Sequence, residues 1–188
     1  MSEHKEEKST SILAITSNLA LAAFFSGIVI GAVYFVTAPV AKVKAEELRL
    51  ASMKELAKDA DGFDDIDSKP GWVAATAKGS IIAYIVPAES KGYGGAIKLL
   101  VAVSKDGTVL DYTILSHNET PGLGDNADKE PFKSQFRGKK PEDVEIVKDP
   151  SDTKHIQAMT GATISSRAVA KAIKQAAEEV KFFRGDIK

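Results

Sequence analysis

The chain has 188 residues, which is enough for one compact domain and one accessory segment. Its 25 basic and 26 acidic side chains give a net charge of −1, so it lacks the basic excess typical of nucleic-acid-binding proteins. It has no cysteine, which excludes disulfides and cysteine-ligated iron–sulfur or zinc sites. His4, His117 and His155 are widely separated and show no metal-ligand spacing. Any redox chemistry must therefore come from another kind of cofactor.

The first element in the chain is a long apolar segment. No charged side chain occurs from Ser9 to Ala41. As a helix, Ile12–Val36 would extend about 37 Å, more than the roughly 30 Å of a bilayer's hydrocarbon core. We predict an uncleaved transmembrane helix over residues 12–38, with residues 1–11 as a cytoplasmic tail. The alternative is a cleaved signal sequence, but its apolar region is usually only about 7–15 residues long.

The sequence of this segment does not decide whether it packs against another helix or how it is oriented in the membrane. Gly27 and Gly31 form a G-x-x-x-G pair, which lets another helix approach closely but is common in membrane helices. The lysines before the segment are diluted by glutamates, and further basic residues follow it. The flanking charges therefore do not decide the orientation, since large following domains translocate largely regardless of charge.

Residues 39–69 read as a linker helix followed by an acidic loop. The irregular apolar stripe of Lys42–Lys58 predicts the helix. The run Asp59–Asp67 superficially resembles a calcium loop. In a twelve-residue loop that starts at Asp59, the sixth position would be Asp64 instead of glycine and the twelfth would be Pro70 instead of glutamate. We therefore predict a solvated acidic loop without calcium.

Residues 70–188 show short strand patterns that end in a helical one, which predicts an α+β domain of antiparallel strands with flanking helices. Turn signals at Lys78-Gly79 and Ser104–Gly107 separate neighbouring strands. Apolar side chains alternate in both strands of the second hairpin, at 97, 99, 101 and 103 and at 110, 112 and 114. The predicted elements are strands at Trp72–Thr76, Ser80–Val86, Ile97–Val103 and Leu110–Ile114, a short helix at Pro131–Phe136, a strand at Val144–Val147 and a helix over Ala168–Phe182.

Three segments of this domain carry candidate binding groups. Gly92–Gly95 precedes a strand and is either a turn or a place where backbone approaches a ligand. It is not a dinucleotide fingerprint, because no helix follows it. His117–Gly124 places a carboxylate, a hydroxyl and two glycines in a loop, where binding groups concentrate. The third segment, Met159–Ala168, leads into the last helix.

The third segment has a structural and a functional interpretation. Ser165 or Ser166 would be an ordinary N-cap of the last helix. That interpretation does not account for Thr160 and Thr163 just before them. Helix N-termini present free N–H groups and hold phosphates well, and Arg167 could reach the same anion. The residues alone leave both interpretations open.

The segment Thr160-Gly161-Ala162-Thr163-x-Ser165 resembles the flavinylation motif of the FMN-binding domain shared by the G subunit of Rnf complexes and the C subunit of Nqr complexes. The resemblance implies that Thr163 carries FMN as a phosphoester, installed by a flavin transferase with FAD as donor. Thr160 departs from the usual serine or aspartate but keeps a hydroxyl. The segments Gly92–Gly95 and Glu119–Gly124 also resemble segments of the family, in the same order. This resemblance implies further cofactor-binding residues, namely Tyr93, Gly94, Glu119, Thr120, Leu123 and Gly124.

The resemblance covers nearly the whole chain and implies an electron-transfer subunit of an Rnf-type ferredoxin:NAD⁺ oxidoreductase that moves sodium ions or protons. It further implies a single-pass protein of the inner membrane with its FMN-binding domain outside the cytoplasm. Its partners would be the other membrane and peripheral subunits of that complex. The alternatives are a membrane-tethered flavin-binding module, an electron carrier like the C subunit of Nqr, and an independent flavin reductase. A hydrolase is disfavoured, because the chain has no G-x-S-x-G elbow.

Overall fold

The first element is one continuous helix, α1, over Ile12–Leu56. Its 45 residues extend about 68 Å, and it is long and apolar enough to cross a membrane. Pro39 lies inside this helix. Proline commonly ends a helix, because it lacks an N–H and crowds the preceding turn. Here the helix continues past it, so the predicted anchor and the predicted linker helix are one element.

The computed structural model describes residues 12–149 and 151–183, so the predicted tail of residues 1–11 lies outside the described residues. The chain forms two compact units, Met1–Glu46 and Glu47–Lys188. The second unit includes the last turns of α1, where Met53 is buried in a small apolar cluster with Ala57, just after the helix, and side chains of the sheet. The folded unit therefore begins well before residue 70, the predicted start of the domain.

The second unit contains a five-stranded antiparallel sheet whose strands follow one another in chain order. The hairpin between the second and third strands turns at Lys78 and Gly79, both of which have positive φ, as the tightest hairpin turns require. This turn was predicted from the sequence. The strands are β1 (Gly62–Asp65), β2 (Val73–Ala77), β3 (Ser80–Lys91), β4 (Ala96–Val103) and β5 (Val109–Ser116).

Two predictions for this sheet were wrong. The acidic stretch is not wholly a loop, because Gly62–Asp65 pairs with β2 as an edge strand. Leu110 does not share a face with Tyr112, because a bulge in β5 pairs Val103 with Val109 and leaves Leu110 as an extra residue. Leu110 is 39% exposed, and the core position falls to Val109. An extra residue in one strand reverses the alternation beyond it.

The second helix, α2, spans Thr163–Phe182 and packs across β3 and β4. Its apolar stripe, including Val169 and Ile173, meets the alternating side chains of β4 in the main core. That stripe was predicted, but the helix begins at Thr163 instead of Ala168. The connection from β5 contains the short 3₁₀ helices Gly124–Asp128, Lys133–Phe136 and Pro141–Asp143 and a parallel pair of strands, β6 (Ile146–Val147) and β7 (Ile156–Gln157). The described chain is thus an apolar helix followed by an α+β domain, as predicted.

Candidate functional site

The three candidate segments meet at one buried carboxylate. Glu119, in the loop after β5, is only 6% exposed. Its Oε1 accepts the Gly94 N–H at 3.0 Å, and its Oε2 lies 3.4 Å from the Tyr93 nitrogen. The Ser165 hydroxyl, in the first turn of α2, donates to the same Oε2. One side chain therefore joins segments that are far apart in the sequence.

Glycines make this close approach possible. A Cβ on Gly92 would lie 2.4 Å from the Glu119 Oε1, and one on Gly94 would lie 1.8 Å from the Asn118 carbonyl oxygen. A Cβ on Gly124 would lie 2.7 Å from both the Glu119 carboxylate and the Ser165 hydroxyl. These contacts are shorter than side chains tolerate, so the glycines serve backbone approach as well as turning.

The serines of the third segment do not cap α2, so the structure rules out the capping interpretation that the sequence left open. The N-cap residue is Ala162, and no side chain caps this end of the helix. The Ser165 hydroxyl is committed to Glu119. The Ser166 hydroxyl accepts the Met159 N–H at 3.0 Å and donates to the Ala162 carbonyl at 2.9 Å. The first N–H groups of α2 therefore have neither a side-chain cap nor an intrahelical partner.

A cavity of about 580 Å³ opens beside this end of α2. Three large apolar side chains lie exposed at its border, Tyr93 at 72%, Leu123 at 42% and Ile164 at 56%. Cavities of similar volume occur elsewhere on the domain, so volume does not single this one out. What distinguishes it is the apolar border beside a helix N-terminus and the side chain of Thr163. The residues that line it are Tyr93, Glu119, Thr120, Leu123, Gly124, Gly161, Ala162, Thr163, Ile164 and Ser165.

Most of the predicted site residues therefore lie together, but three do not line this cavity. Gly94 contributes its N–H to the Glu119 carboxylate. Thr160 is exposed and borders a neighbouring hollow that also contains Gly122 and Met159. Arg167 borders a different depression, beside the strand Ile146–Val147.

Two residues near the cavity were missed by the sequence analysis. Ile164 lines the cavity, and its only signal was a large apolar residue beside a threonine at the start of a helix. The ring of His117 accepts the backbone N–H of Glu119 at its Nδ1, at 3.1 Å. The sequence placed His117 in the loop without indicating this contact, which fixes the backbone that carries the buried carboxylate.

The loop that carries the cavity wall is held against the edge of β5. The Tyr112 hydroxyl donates to the Ala127 carbonyl, and burial raises the pKa of Tyr112. Asp128 accepts the Ile114 N–H at 3.2 Å, and burial raises the pKa of its carboxyl. Lys129 pairs with Asp125 at 3.0 Å, and its hydrogen bond lowers the pKa of Asp125. The contacts of Tyr112 and Ile114 fix the loop to β5, whereas the Lys129–Asp125 pair stabilises the loop itself.

Comparison with known proteins gives the site a context. A family model described as an FMN-binding domain matches residues 92–178, which include all three segments. The G subunit of the proton-translocating ferredoxin:NAD(+) oxidoreductase complex of Clostridium ljungdahlii is 54% identical, over 96% of this chain and 98% of the relative. The G subunit of an ion-translocating oxidoreductase complex of Methanosarcina acetivorans is 30% identical, over 77% of this chain and 81% of the relative.

A solved structure has a similar fold. It is the C subunit of the Na(+)-translocating NADH-quinone reductase from Parabacteroides distasonis, with a TM-score of 0.50 and 25% identity. The similarity covers 61% of this chain and 63% of that one. The match to the C. ljungdahlii relative is both closer and nearly complete. The chain therefore belongs to the family of Rnf G subunits, found in ion-translocating oxidoreductase complexes, and it contains that family's FMN-binding domain.

Proposed function

We propose that this chain is the electron-transfer subunit of a membrane-bound, ion-translocating ferredoxin:NAD⁺ oxidoreductase complex, and that it carries FMN as a phosphoester on Thr163. The complex is proposed because the 54% identical relative belongs to one. The attachment site is proposed from the geometry of the third segment. One observation carries it, namely the state of the hydroxyl groups around the start of α2.

Four hydroxyl side chains lie in this segment, and their environments differ. Those of Ser165 and Ser166 are buried and hydrogen-bonded. Thr160 is exposed but lies outside the cavity. Thr163 is partly exposed and lines the cavity, and its hydroxyl takes part in none of the side-chain hydrogen bonds found among residues 12–149 and 151–183. Its hydroxyl is thus both accessible from the cavity and uncommitted, as an acceptor of a phosphoryl group must be.

The surroundings of Thr163 fit both ends of an attached FMN. Thr163 is the first residue of a 20-residue helix with no acidic residue in its first turn. The free N–H groups and the positive end of the helix dipole there favour a phosphate. The apolar border formed by Tyr93, Leu123 and Ile164 offers a surface for the flat flavin ring. A volume of about 580 Å³ is also within the range of cofactor sites.

The division of labour follows from this arrangement. Bound FMN would supply the redox chemistry by accepting and releasing electrons, while the protein supplies attachment and orientation. Attachment by a flavin transferase would form a bond between phosphorus and the Thr163 oxygen and break the diphosphate bond of FAD. AMP would leave, and the hydroxyl proton would be released. Covalent attachment prevents loss of the cofactor from a domain facing a dilute exterior.

The membrane arrangement extends the same proposal. The apolar helix α1 and the relatives' membrane complexes support a membrane-anchored protein. We place the domain on the extracytoplasmic side, in contact with other membrane and peripheral subunits of the complex. Compartment-specific reporters fused after Lys188 test this orientation. A reporter active only in the cytoplasm would contradict it.

Fluorescence of the denatured protein tests the attachment. The whole chain, co-expressed with a flavin transferase, should give a fluorescent band on a denaturing gel. The Thr163→Ala variant should be dark, whereas the Thr153→Ala control, at an exposed threonine outside the three segments, should remain fluorescent. A fluorescent Thr163→Ala band would refute the assignment. Full fluorescence that disappears on denaturation would show that the cofactor is bound without a covalent bond.

A further inference from the structure

The charge of Glu119 has an unusual setting. The carboxylate borders the cavity, yet the residue is only 6% exposed. Its oxygens receive the N–H groups of Tyr93 and Gly94 and the hydroxyl of Ser165. Backbone N–H groups can only donate, so they match an acceptor such as an ionised carboxylate. Every polar contact of this carboxylate in the described chain thus suits the negative form.

Hydrogen bonds and a helix dipole, instead of a cation, balance this charge. Among residues 12–149 and 151–183, Glu119 forms no ion pair with a basic side chain. Its donors are supplemented by the N-terminal end of α2, where Ser165 lies. Dipoles stabilise an anion without cancelling its net charge. Because the group is shielded from water, its field at the cavity is screened less than that of a surface carboxylate.

We infer that Glu119 lowers the reduction potential of the flavin at this site. A cofactor that gains electrons beside a fixed negative charge is stabilised less in its reduced form than in its oxidised form. The inference rests on the proposed function, because it requires a flavin in this cavity. It adds a role that attachment does not need, since the ester involves Thr163 alone.

The Glu119→Gln variant of the whole chain tests the charge directly. Glutamine has nearly the same shape, its carbonyl can accept the Gly94 N–H, and its amide can donate to the Ser165 oxygen. We expect the equilibrium constant for two-electron reduction to rise about tenfold, which is an upward shift of about 30 mV. The matched control is Glu178→Gln, an exposed position that lies about 22 Å along α2 from Thr163. Its flavin should titrate like the wild type.

Two more variants separate charge from structural damage. Ser165→Ala removes a donor to Glu119 but keeps the negative charge, so its potential should stay level or fall. Glu119→Asp also keeps the charge, so its equilibrium constant for two-electron reduction should change by no more than roughly twofold. That limit corresponds to a potential within about 10 mV of the wild type. If Glu119→Gln does not fold, these two variants decide. A rise of about 30 mV in either of them, the tenfold effect expected for loss of the charge, would overturn the inference, because disruption alone would then raise the potential.

The outcomes distinguish this inference from the proposed function. A wild-type chain that carries no flavin after co-expression with the transferase refutes the proposed function. If the wild type carries flavin and the flavin of Glu119→Gln has the same reduction potential, only the inference is refuted. A folded Glu119→Gln protein that takes up no flavin, while Glu119→Asp does, also refutes it, because the charge would then serve attachment. Melting of each flavin-free variant, followed by Trp72 fluorescence, establishes whether the variant is folded.

Discussion

The Ser165 hydroxyl donates a hydrogen bond to the Glu119 carboxylate, across 46 positions of the chain. This contact fixes the first turn of α2 to the loop after β5. Because Thr163 lies in that same turn, the bond also sets where the proposed acceptor hydroxyl faces the cavity. A buried polar pair of this kind costs stability when one partner is lost, since the other is left without a hydrogen bond.

The first prediction concerns the buried serine next to this pair. Ser166→Ala leaves the Met159 N–H without its acceptor, and we expect the free energy of unfolding to fall by about 1–3 kcal/mol. Urea unfolding followed by the fluorescence of Trp72, the single tryptophan, measures the change. The control is Thr160→Ala, an exposed site where the change should stay within about 0.5 kcal/mol. Equal stabilities of the two variants would refute the role assigned to Ser166.

The second prediction concerns the glycine packed against the same pair. In Gly124→Ala the new Cβ would lie 2.7 Å from the Glu119 and Ser165 side chains. We expect a loss of about 1–3 kcal/mol in domain stability and a lower yield of attached flavin. Gly27→Ala is the control, because its Cβ meets nothing within 4 Å and the residue lies in α1. Normal melting and full flavin loading of Gly124→Ala would show that the packing is not tight.

The third prediction is a pH dependence that arises away from the site. Hydrogen bonds from Ser104 and then Thr108 lower the pKa of Asp106 from 3.8 to about 2. A lowered pKa means that the folded state favours the ionised carboxylate. This stabilisation is complete above about pH 4 and is lost as the pH falls through about 2.

The Asp106→Asn variant tests this dependence. It lacks the ionised carboxylate at every pH, so it should be less stable than the wild type at about pH 7, and the difference should shrink between about pH 4 and 2. The effect should be small, because Asp106 is exposed and solvent screens its charge. Urea titrations at several pH values measure it. A difference that stays constant down to about pH 2 would contradict the assignment.

Local patterns in the sequence predicted much of this fold, because the relevant interactions are local. The alternation at Ile97–Val103 and the turn at Lys78-Gly79 identify neighbouring strands through side-chain period and backbone preference alone. The bulge at Leu110 could not be predicted, because it depends on the pairing register between β4 and β5, which the pattern within one strand does not give. The continuation of α1 through Pro39 likewise runs against a local preference.

The site was predicted in part, for a related reason. The resemblance of three short segments gathered most of the residues that line the cavity, including Thr163. It could not reveal that Ser165 belongs to Glu119 instead of capping α2. That choice depends on a partner 46 residues away, and capping preference is read from neighbouring residues only. Ile164 was missed because an apolar residue on a helix usually indicates core packing, whereas here it is 56% exposed.

The central claim is that Thr163 holds FMN through a covalent bond, and the intact mass of the whole chain tests it most directly. After co-expression with a flavin transferase, the wild-type mass should exceed the polypeptide mass by that of FMN minus one water. The Thr163→Ala chain should have the mass of the unmodified polypeptide, whereas Thr153→Ala, at an exposed threonine outside the three segments, should carry the full addition. An unmodified wild-type chain, or a Thr163→Ala chain that still carries the addition, would contradict the claim.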